Sequence, residues 1–171
     1  MRIASIRSMD VSNGEGCGVA LFTQGCPIHC FNCFNKSTWD FEGGVKYEQK
    51  HEDLIIDLLN KEFITRLSIL GGEPLIKRNI PFIEKLIKRV RETYGETKKI
   101  WLYTGQYYED VKEMYPNIIE NVDVLIDGPY EDDKRDYNLR WCGSTNQRVI
   151  NIKEKLNIDC KKCMFKDIED I

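Results

Sequence analysis

The clearest candidates for chemistry are three cysteines in the stretch FTQGCPIHCFNCFN, residues 22–35. Cys26, Cys30 and Cys33 follow C-x3-C-x2-C spacing, and no fourth cysteine comes soon after them. Three thiols exceed the two that one disulfide uses, and they fall one short of the four ligands of a structural zinc site. The spacing therefore predicts a metal centre with one position left open.

Two kinds of metal centre fit this pattern. A zinc site would need a distant fourth ligand, because His29 stands next to Cys30, which already points at the metal. A 4Fe–4S cluster has four iron corners that are each normally held by one thiolate, so three cysteines leave one iron for an outside ligand. Gly25 and Pro27 suit a loop that wraps closely around a bulky cluster. The residues favour the cluster and leave zinc as an alternative.

A second candidate motif is GGEP, residues 71–74. Gly71 and Gly72 allow the backbone to approach a ligand, because neither carries a Cβ atom. A backbone carbonyl there, or the carboxylate of Glu73, can accept a hydrogen bond from a ligand. Pro74 ends the preceding strand. Taken alone, the motif fits an ordinary turn equally well.

Size and composition limit the class of protein. A chain of 171 residues with a formal net charge of −3 predicts one globular domain, and nothing suggests nucleic acid or an anionic membrane as a partner. The first ten residues lack the apolar core of a secretory signal, and no apolar run reaches the roughly 20 residues that span a bilayer. We therefore expect a soluble, cytoplasmic single domain over residues 1–171, with a short cysteine-containing tail at 154–171. In a reducing compartment, the seven cysteines favour metal binding or redox chemistry over disulfides.

Short apolar runs alternate with helical patterns, which predicts an α/β fold with a parallel sheet. In such sheets the loops at the carboxyl ends of the strands carry function. The cysteine loop, GGEP, YTG (103–105) and DGPY (127–130) each follow a predicted strand, so we expect all four on one rim. The predicted strands are 18–24, 66–70, 99–105, 121–130 and 148–153, and the predicted helices are 53–63, 80–90 (capped by Asn79) and 107–115.

The C-x3-C-x2-C motif after one strand and GGEP after a later strand resemble the radical S-adenosylmethionine superfamily. The resemblance implies an open, partial parallel β/α barrel that holds a 4Fe–4S cluster on Cys26, Cys30 and Cys33. It also implies that the amino and carboxylate groups of S-adenosylmethionine chelate the open iron. The GGEP motif would then accept hydrogen bonds from the methionine ammonium group.

Further residues are candidates for the same pocket. Tyr103 and Thr104, at the end of a predicted strand, are expected to line it. Asp127 could hold a ribose hydroxyl or the backbone of a partner, or it could be a plain turn residue before Gly128. The superfamily often has an aromatic residue just before the third cysteine, where this chain has Asn32. Asn32 is expected to hydrogen-bond the adenine instead of stacking on it.

Residues 13–41, 100–105 and 122–150 resemble the family of activating proteins of anaerobic ribonucleoside-triphosphate reductase. This resemblance implies that a 5′-deoxyadenosyl radical removes hydrogen from a glycine near the C-terminus of the large reductase subunit. It also implies that reduced flavodoxin or a similar donor supplies the electron. Alternatives within the superfamily are a pyruvate formate-lyase type activase and a 7-carboxy-7-deazaguanine synthase. Alternatives outside it are an electron-transfer iron–sulfur protein and a zinc-binding module.

Two more sets of polar residues are candidates for contacts with partners. Asn146, Gln147 and Arg148 are candidates to face the reductase tail or the adenosyl group. One helix also carries a basic stripe, formed by Lys85, Lys88, Arg89 and Arg91. This stripe could meet an acidic flavodoxin, although a solvated helix face is the better interpretation.

The remaining cysteines include a C-x2-C pair, Cys160 and Cys163. Together with Cys17 and Cys142 this pair could bind zinc or a second cluster. A spare reducible pair is the plainer interpretation, because nothing in the sequence brings the four cysteines together.

Overall fold

The computed structural model describes residues 1–154 and 156–158, which form one open eight-stranded sheet with helices packed on it. The strands are β1 (Arg2–Asp10), β2 (Gly18–Thr23), β3 (Val45–Lys46), β4 (Arg66–Gly71), β5 (Lys99–Tyr103), β6 (Val124–Asp127), β7 (Arg148–Asn151) and β8 (Leu156–Ile158). The helices are α1 (Gln49–Leu59), α2 (Ile80–Tyr94), α3 (Tyr108–Met114) and α4 (Pro116–Ile119), with short 3-10 helices at Lys36–Thr38 and Asp132–Lys134. The strand order is β3-β1-β2-β4-β5-β6-β7-β8. The predicted α/β class is confirmed.

The middle of the sheet is parallel, with β2, β4, β5 and β6 paired in that order. Helix α1, helix α2 and the pair α3 and α4 lie in the three connections between these strands. β2 and β4 are buried almost throughout, as expected for strands that are covered on both faces. α2 buries its apolar stripe against the sheet, namely Ile83, Leu86, Ile87 and Val90. In the described residues, no helix has the length and apolar character needed to cross a membrane.

Both edges of the sheet are antiparallel, which differs from the parallel sheet that the sequence predicted. β7 runs antiparallel to β6 because residues 128–147 form a loop, with no crossover helix to return the chain to the opposite edge. β1 was not predicted, because only Ile3 and Asp10 in it are buried, so it lacks the apolar alternation that marks a strand.

The helix boundaries also differ in detail. α1 begins at Gln49 rather than at residue 53, because Glu48 and His51 form a capping box there. Asn79 occupies the predicted N-cap position of α2, but its side chain does not cap the helix. Its Nδ2 instead donates to the backbone carbonyl of Glu73 at 3.3 Å. Asn79 therefore ties the start of α2 to the GGEP motif.

A buried ion pair lies at the edge where the parallel strands begin. Arg66 is fully buried, and its Nη2 donates to Oδ1 of Asp10 at 3.1 Å while its Nη1 donates to Oγ of Ser68 at 2.9 Å. Asp10 also accepts hydrogen bonds from the backbone and the side chain of Asn13. Burial alone raises the pKa of Asp10, but the hydrogen bonds from Asn13 and Arg66 outweigh it, so the pKa lies below its usual value. The pair fastens β1 to the start of β4.

The structure describes two of the four cysteines outside the 26–33 motif. Cys17 is half-buried just before β2, and Cys142 is half-buried in the loop between β6 and β7. Cys160 and Cys163 lie outside the described residues. The second metal site therefore stays a prediction.

Candidate functional site

The carboxyl ends of the parallel strands bring the four predicted motifs to one rim. β2 leads into the cysteine loop, β4 into GGEP, β5 into Thr104 and Gly105, and β6 into Gly128 and Pro129. All four loops line one cavity of about 140 Å³. Its lining includes Cys26, Cys30, Cys33, Trp39, Gly71, Gly72, Glu73, Tyr103, Thr104, Gly105, Tyr130 and Gln147. A larger cavity of about 440 Å³ at the opposite edge of the strands contains none of these motif residues, so size alone does not identify the site.

The cysteine loop is held by the segment that follows it. Gly25 N donates to the carbonyl of Thr38 at 2.8 Å, and Cys26 N donates to the carbonyl of Trp39 at 3.2 Å. The 3-10 helix Lys36–Thr38 lies between Cys33 and Trp39, and the first of these two carbonyls belongs to its last residue. The three thiols therefore sit on a loop whose two ends are joined.

Each thiol of the motif accepts a hydrogen bond from a backbone N–H group. The donors are Ile28 and His29 for Cys26, Tyr130 and the N–H of Cys30 itself for Cys30, and Asn35, at 3.4 Å, for Cys33. Burial raises the pKa of Cys26 and of Cys30, because a thiolate is poorly solvated there, and the N–H groups oppose that rise. N–H groups aimed at sulfur are the usual stabilisers of metal-bound thiolates.

GGEP lies directly against the cysteine loop. Gly72 N donates to the carbonyl of Thr23 at 2.9 Å, and Glu73 N donates to the carbonyl of Gly25 at 2.9 Å. Gly71 has φ +111°, and a Cβ on Gly72 would lie 2.4 Å from the Gly25 carbonyl oxygen. Both positions therefore require glycine for steric reasons.

Replacing Gly72 with alanine is expected to push the cysteine loop away from β4. Displacing a reacting group by about 1 Å can reduce a rate about 100-fold, so we expect a loss of that order in the S-adenosylmethionine cleavage that the family resemblance implies. The assay is product formation by the cluster-loaded protein. Glu92→Ala is the control, because its side chain is exposed on α2 and does not line the cavity. Equal activity in the two variants would contradict the steric role of Gly72.

Glu73 is a buried carboxylate that organises the neighbouring strand end. It accepts hydrogen bonds from Oγ1 of Thr104, from Gly105 N and from Leu75 N, at 2.8, 2.8 and 2.9 Å. Burial raises the pKa of Glu73, and these three donors oppose the rise. Its first role in the structure is thus to fix Thr104 and Gly105 at the cavity wall.

Asp127 is fully buried at the end of β6, and its carboxylate is already engaged. It accepts hydrogen bonds from the guanidinium of Arg148 and, at 2.8 Å, from the backbone N–H of Tyr108. The same guanidinium binds Glu109 in a bidentate manner at 3.0 and 2.8 Å. Direct contact between Asp127 and a ligand stays a prediction, and the geometry favours a role in positioning α3 against β7.

Glu109→Gln tests the exposed ion pair between Glu109 and Arg148. Hydrogen bonds from Arg148 lower the pKa of Glu109 to about 2. Because this pKa is lowered, the ionised Glu109 stabilises the fold at any pH above the usual Glu pKa. That contribution to the free energy of unfolding is lost as the pH falls through about 2. The side chain is 65% exposed, so solvent screening keeps the expected loss in free energy of unfolding at pH 7 below about 1 kcal/mol. Urea unfolding at pH 7 and near pH 2 measures the free energy of unfolding of both proteins. A difference between Glu109→Gln and wild type that is as large near pH 2 as at pH 7 would contradict a contribution from the ionised carboxylate.

Asn32 does not point into the cavity lining but across to a distant segment. It has φ +54°, a conformation that Asn adopts more readily than most residues, and its Nδ2 donates to Asp132 at 2.9 Å. Tyr103 lines the cavity, as expected, and packs against Phe22 and Leu70. The structure therefore gives Asn32 a bridging contact, while a contact with adenine stays a prediction.

The remaining polar candidates mostly bind the protein itself. Asn146 and Gln147 donate to the carbonyls of Pro129 and Gly128, so they shape the loop between β6 and β7. Every member of the basic stripe has a partner: Lys85 and Arg89 pair with Glu52, Lys88 with Glu92, and Arg91 with Asp123. These pairings favour the solvated helix face over a docking surface for the stripe.

Trp39 and Asp132 were not foreseen from the sequence, and Tyr130 was expected on the rim but not against the cysteine loop. Trp39 lines the cavity, and its indole N–H is buried without a hydrogen-bond partner among the described residues. Tyr130 and Asp132 contact the cysteine loop from far along the chain. The position of Trp39 after the cysteines was a possible signal, whereas no local pattern could indicate that Tyr130 and Asp132 contact the cysteine loop.

The donor set fits an iron–sulfur cluster with one open iron. Within residues 1–154 and 156–158, no three Cys, His, Asp or Glu side chains converge around one point as a single metal ion requires. A cluster needs its thiolates on separate iron corners, which suits three thiols spread around one cavity wall. The buried indole N–H of Trp39 is a further donor for a polar group in that cavity.

Comparisons with known proteins agree with this assignment. A family model described as a 4Fe-4S single cluster domain matches residues 12–150. The anaerobic ribonucleoside-triphosphate reductase-activating proteins of Escherichia coli (strain K12), Enterobacteria phage T4 and Vibrio cholerae are each 38% identical to the chain. The alignments cover 85%, 87% and 82% of this chain and 95%, 93% and 92% of those relatives. The chain therefore carries an iron–sulfur cluster domain and belongs to the family of anaerobic ribonucleoside-triphosphate reductase-activating proteins.

Proposed function

We propose that this protein activates an anaerobic ribonucleoside-triphosphate reductase by forming a glycyl radical on its large subunit. The observation that carries the proposal is the cavity shared by the cysteine triad and GGEP at the carboxyl edge of the parallel strands. A pure electron carrier needs no open iron and no ligand pocket beside it. The names of the relatives supply the reductase as the target.

Cys26, Cys30 and Cys33 would hold the 4Fe–4S cluster and leave one iron for S-adenosylmethionine. When bound and reduced, the cluster supplies one electron to the sulfonium, which yields methionine and a 5′-deoxyadenosyl radical that takes a hydrogen atom from the target glycine. The chain contributes the thiolates, their N–H donors and a partly enclosed cavity.

The strand ends would bind the cosubstrate. The backbone at Gly71 and Gly72 offers carbonyls without a Cβ in the way, and Glu73 adds a buried carboxyl group for the methionine ammonium. Tyr103 and Thr104 form the neighbouring wall. Asn32 and Asp127 are assigned supporting roles, because neither lines the cavity and each bonds another residue of the chain, Asp132 and Arg148 respectively.

A second cavity, of about 420 Å³, supports a peptide as the substrate. It shares Asn35, Leu70, Tyr103 and Gln147 with the cluster cavity, so the two are contiguous. Its other lining residues include Phe22, Phe34, Trp141 and Gly143. A groove of this kind suits an extended backbone segment that carries the target glycine.

The remaining assignments complete the proposal. The chain would act as one domain with an open, partial parallel β/α barrel, supported by the parallel order β2-β4-β5-β6. Reduced flavodoxin or a similar low-potential donor in the cytoplasm would supply the electron. Clusters reach the required range, because their potentials span roughly −700 to +450 mV.

The test is cosubstrate cleavage. The protein is reconstituted with iron and sulfide without oxygen, reduced, and given S-adenosylmethionine with and without an anaerobic reductase. We expect 5′-deoxyadenosine, in greater amount when the reductase is present. A protein that takes up the cluster but never cleaves S-adenosylmethionine would be an electron carrier instead.

A further inference from the structure

Asn32 joins the cysteine loop to a segment 100 residues later. Its Nδ2 donates to Oδ2 of Asp132 at 2.9 Å. The other carboxylate oxygen of Asp132 accepts from the hydroxyl of Tyr130 at 2.6 Å and lies 3.5 Å from the guanidinium of Arg135. We call Asn32, Tyr130 and Asp132 the loop latch.

The backbone at position 32 is suited to this contact. With φ +54°, it lies in the left-handed region, where Asn and Asp are favoured over bulky residues. A short side chain with an N–H donor is needed to reach the carboxylate of Asp132 from that backbone. An aromatic residue at this position would provide neither.

The latch places Tyr130 against the cysteine loop in two further ways. The backbone N–H of Tyr130 donates to the thiol of Cys30, beside the N–H of Cys30 itself. The ring of Tyr130 meets the ring of Phe34 edge-on, with centroids 5.4 Å apart. Tyr130 thus contacts Cys30 and also Phe34, which directly follows Cys33.

We propose that Asn32 and Asp132 are positioning residues that keep the Tyr130 N–H on the Cys30 sulfur and thereby raise the reduction potential of the cluster. The inference rests on the proposed function, because it requires a cluster on Cys30. An N–H donated to a ligand sulfur stabilises the added negative charge of the reduced cluster. Cys30 is already half-exposed, so the change that opening makes at its sulfur is the loss of the N–H donor from Tyr130.

The first variant is Asn32→Gly, which removes the side chain, keeps the positive φ accessible and changes no charge. We expect the midpoint potential of the reconstituted protein, from a redox titration followed by electron paramagnetic resonance, to become more negative. Asn138→Gly is the matched control, because its side chain bonds Asp136 within the same loop and lies outside the latch. The control is expected to keep the wild-type potential.

The second variant exchanges the partners. Asn32→Asp alone sets two carboxylates against each other and is expected to lower the potential. Adding Asp132→Asn restores a donor and acceptor pair at unchanged net charge, and Tyr130 keeps an oxygen to bond, so the potential is expected to return toward the wild-type value. This rescue does not depend on whether Asn32→Gly folds.

Three outcomes separate the claims. The latch is overturned if both single variants keep the wild-type potential, or if the double exchange does not bring the potential back toward the wild-type value. In either case the proposed function stands if S-adenosylmethionine is still cleaved. A wild-type protein that binds no cluster overturns the proposed function and the latch together. A lowered potential in the single variants with recovery in the exchange supports the positioning role.

Discussion

Replacing Cys30 with alanine is expected to abolish cosubstrate cleavage while leaving the fold intact. The side chain is half-exposed on a loop, so its loss removes little packing. It is also one of three ligands that line the cavity, and two thiolates cannot hold a cluster that needs three. Activity should fall by more than about 10⁶-fold, the lower end of enzymatic rate enhancements. The assays are iron content, visible absorbance and 5′-deoxyadenosine formation.

Cys17→Ala is the matched control for this experiment. Cys17 is also half-buried, but it precedes β2 whereas the motif follows it, so it lies at the opposite end of the same strand. The control should bind a full cluster and keep wild-type activity. Full activity in Cys30→Ala, or loss of the cluster in Cys17→Ala, would show that the ligands have been assigned to the wrong cysteines.

Replacing Asp10 with alanine is expected to lower the free energy of unfolding by about 3–5 kcal/mol, because it leaves the fully buried guanidinium of Arg66 without its carboxylate. The pKa of Asp10 lies below its usual value, so its contribution is present above the usual Asp pKa and is lost as the pH falls through the lowered one. Wild type should therefore lose more stability than Asp10→Ala on acidification. Urea unfolding at pH 7 and at acidic pH measures both effects.

The control for this prediction is Glu92→Ala. Glu92 forms an exposed pair with Lys88 at 3.7 Å, and exposed pairs contribute little. A loss in Asp10→Ala no greater than that in Glu92→Ala would mean that the buried pair does not hold β1 and β4 together.

The rim of the site was predictable from the sequence because it depends on local signals. Buried runs such as GVALFT are read directly as strands, and each functional motif follows one of them. In a parallel sheet, strand ends converge without any knowledge of side-chain contacts. The gathering of Cys26, Gly72 and Thr104 around one cavity follows from that rule.

Features that depend on distant contacts were not predictable. β1 forms because Asp10 meets Arg66, 56 residues away, and its own sequence lacks strand periodicity. The role of Asn32 depends on Asp132, and its left-handed backbone has no local marker. The antiparallel turn of β7 depends on how residues 128–147 fold onto the cysteine loop. Such features need the tertiary structure.

The most direct test of the central claim follows the hydrogen atom itself. An anaerobic reductase is prepared with deuterated glycine and incubated with the reduced, cluster-loaded protein and S-adenosylmethionine. Mass spectrometry of the 5′-deoxyadenosine then shows where its new hydrogen came from. We predict deuterium in the product, together with a glycyl radical signal on the reductase. Unlabelled 5′-deoxyadenosine and no glycyl radical would contradict the account.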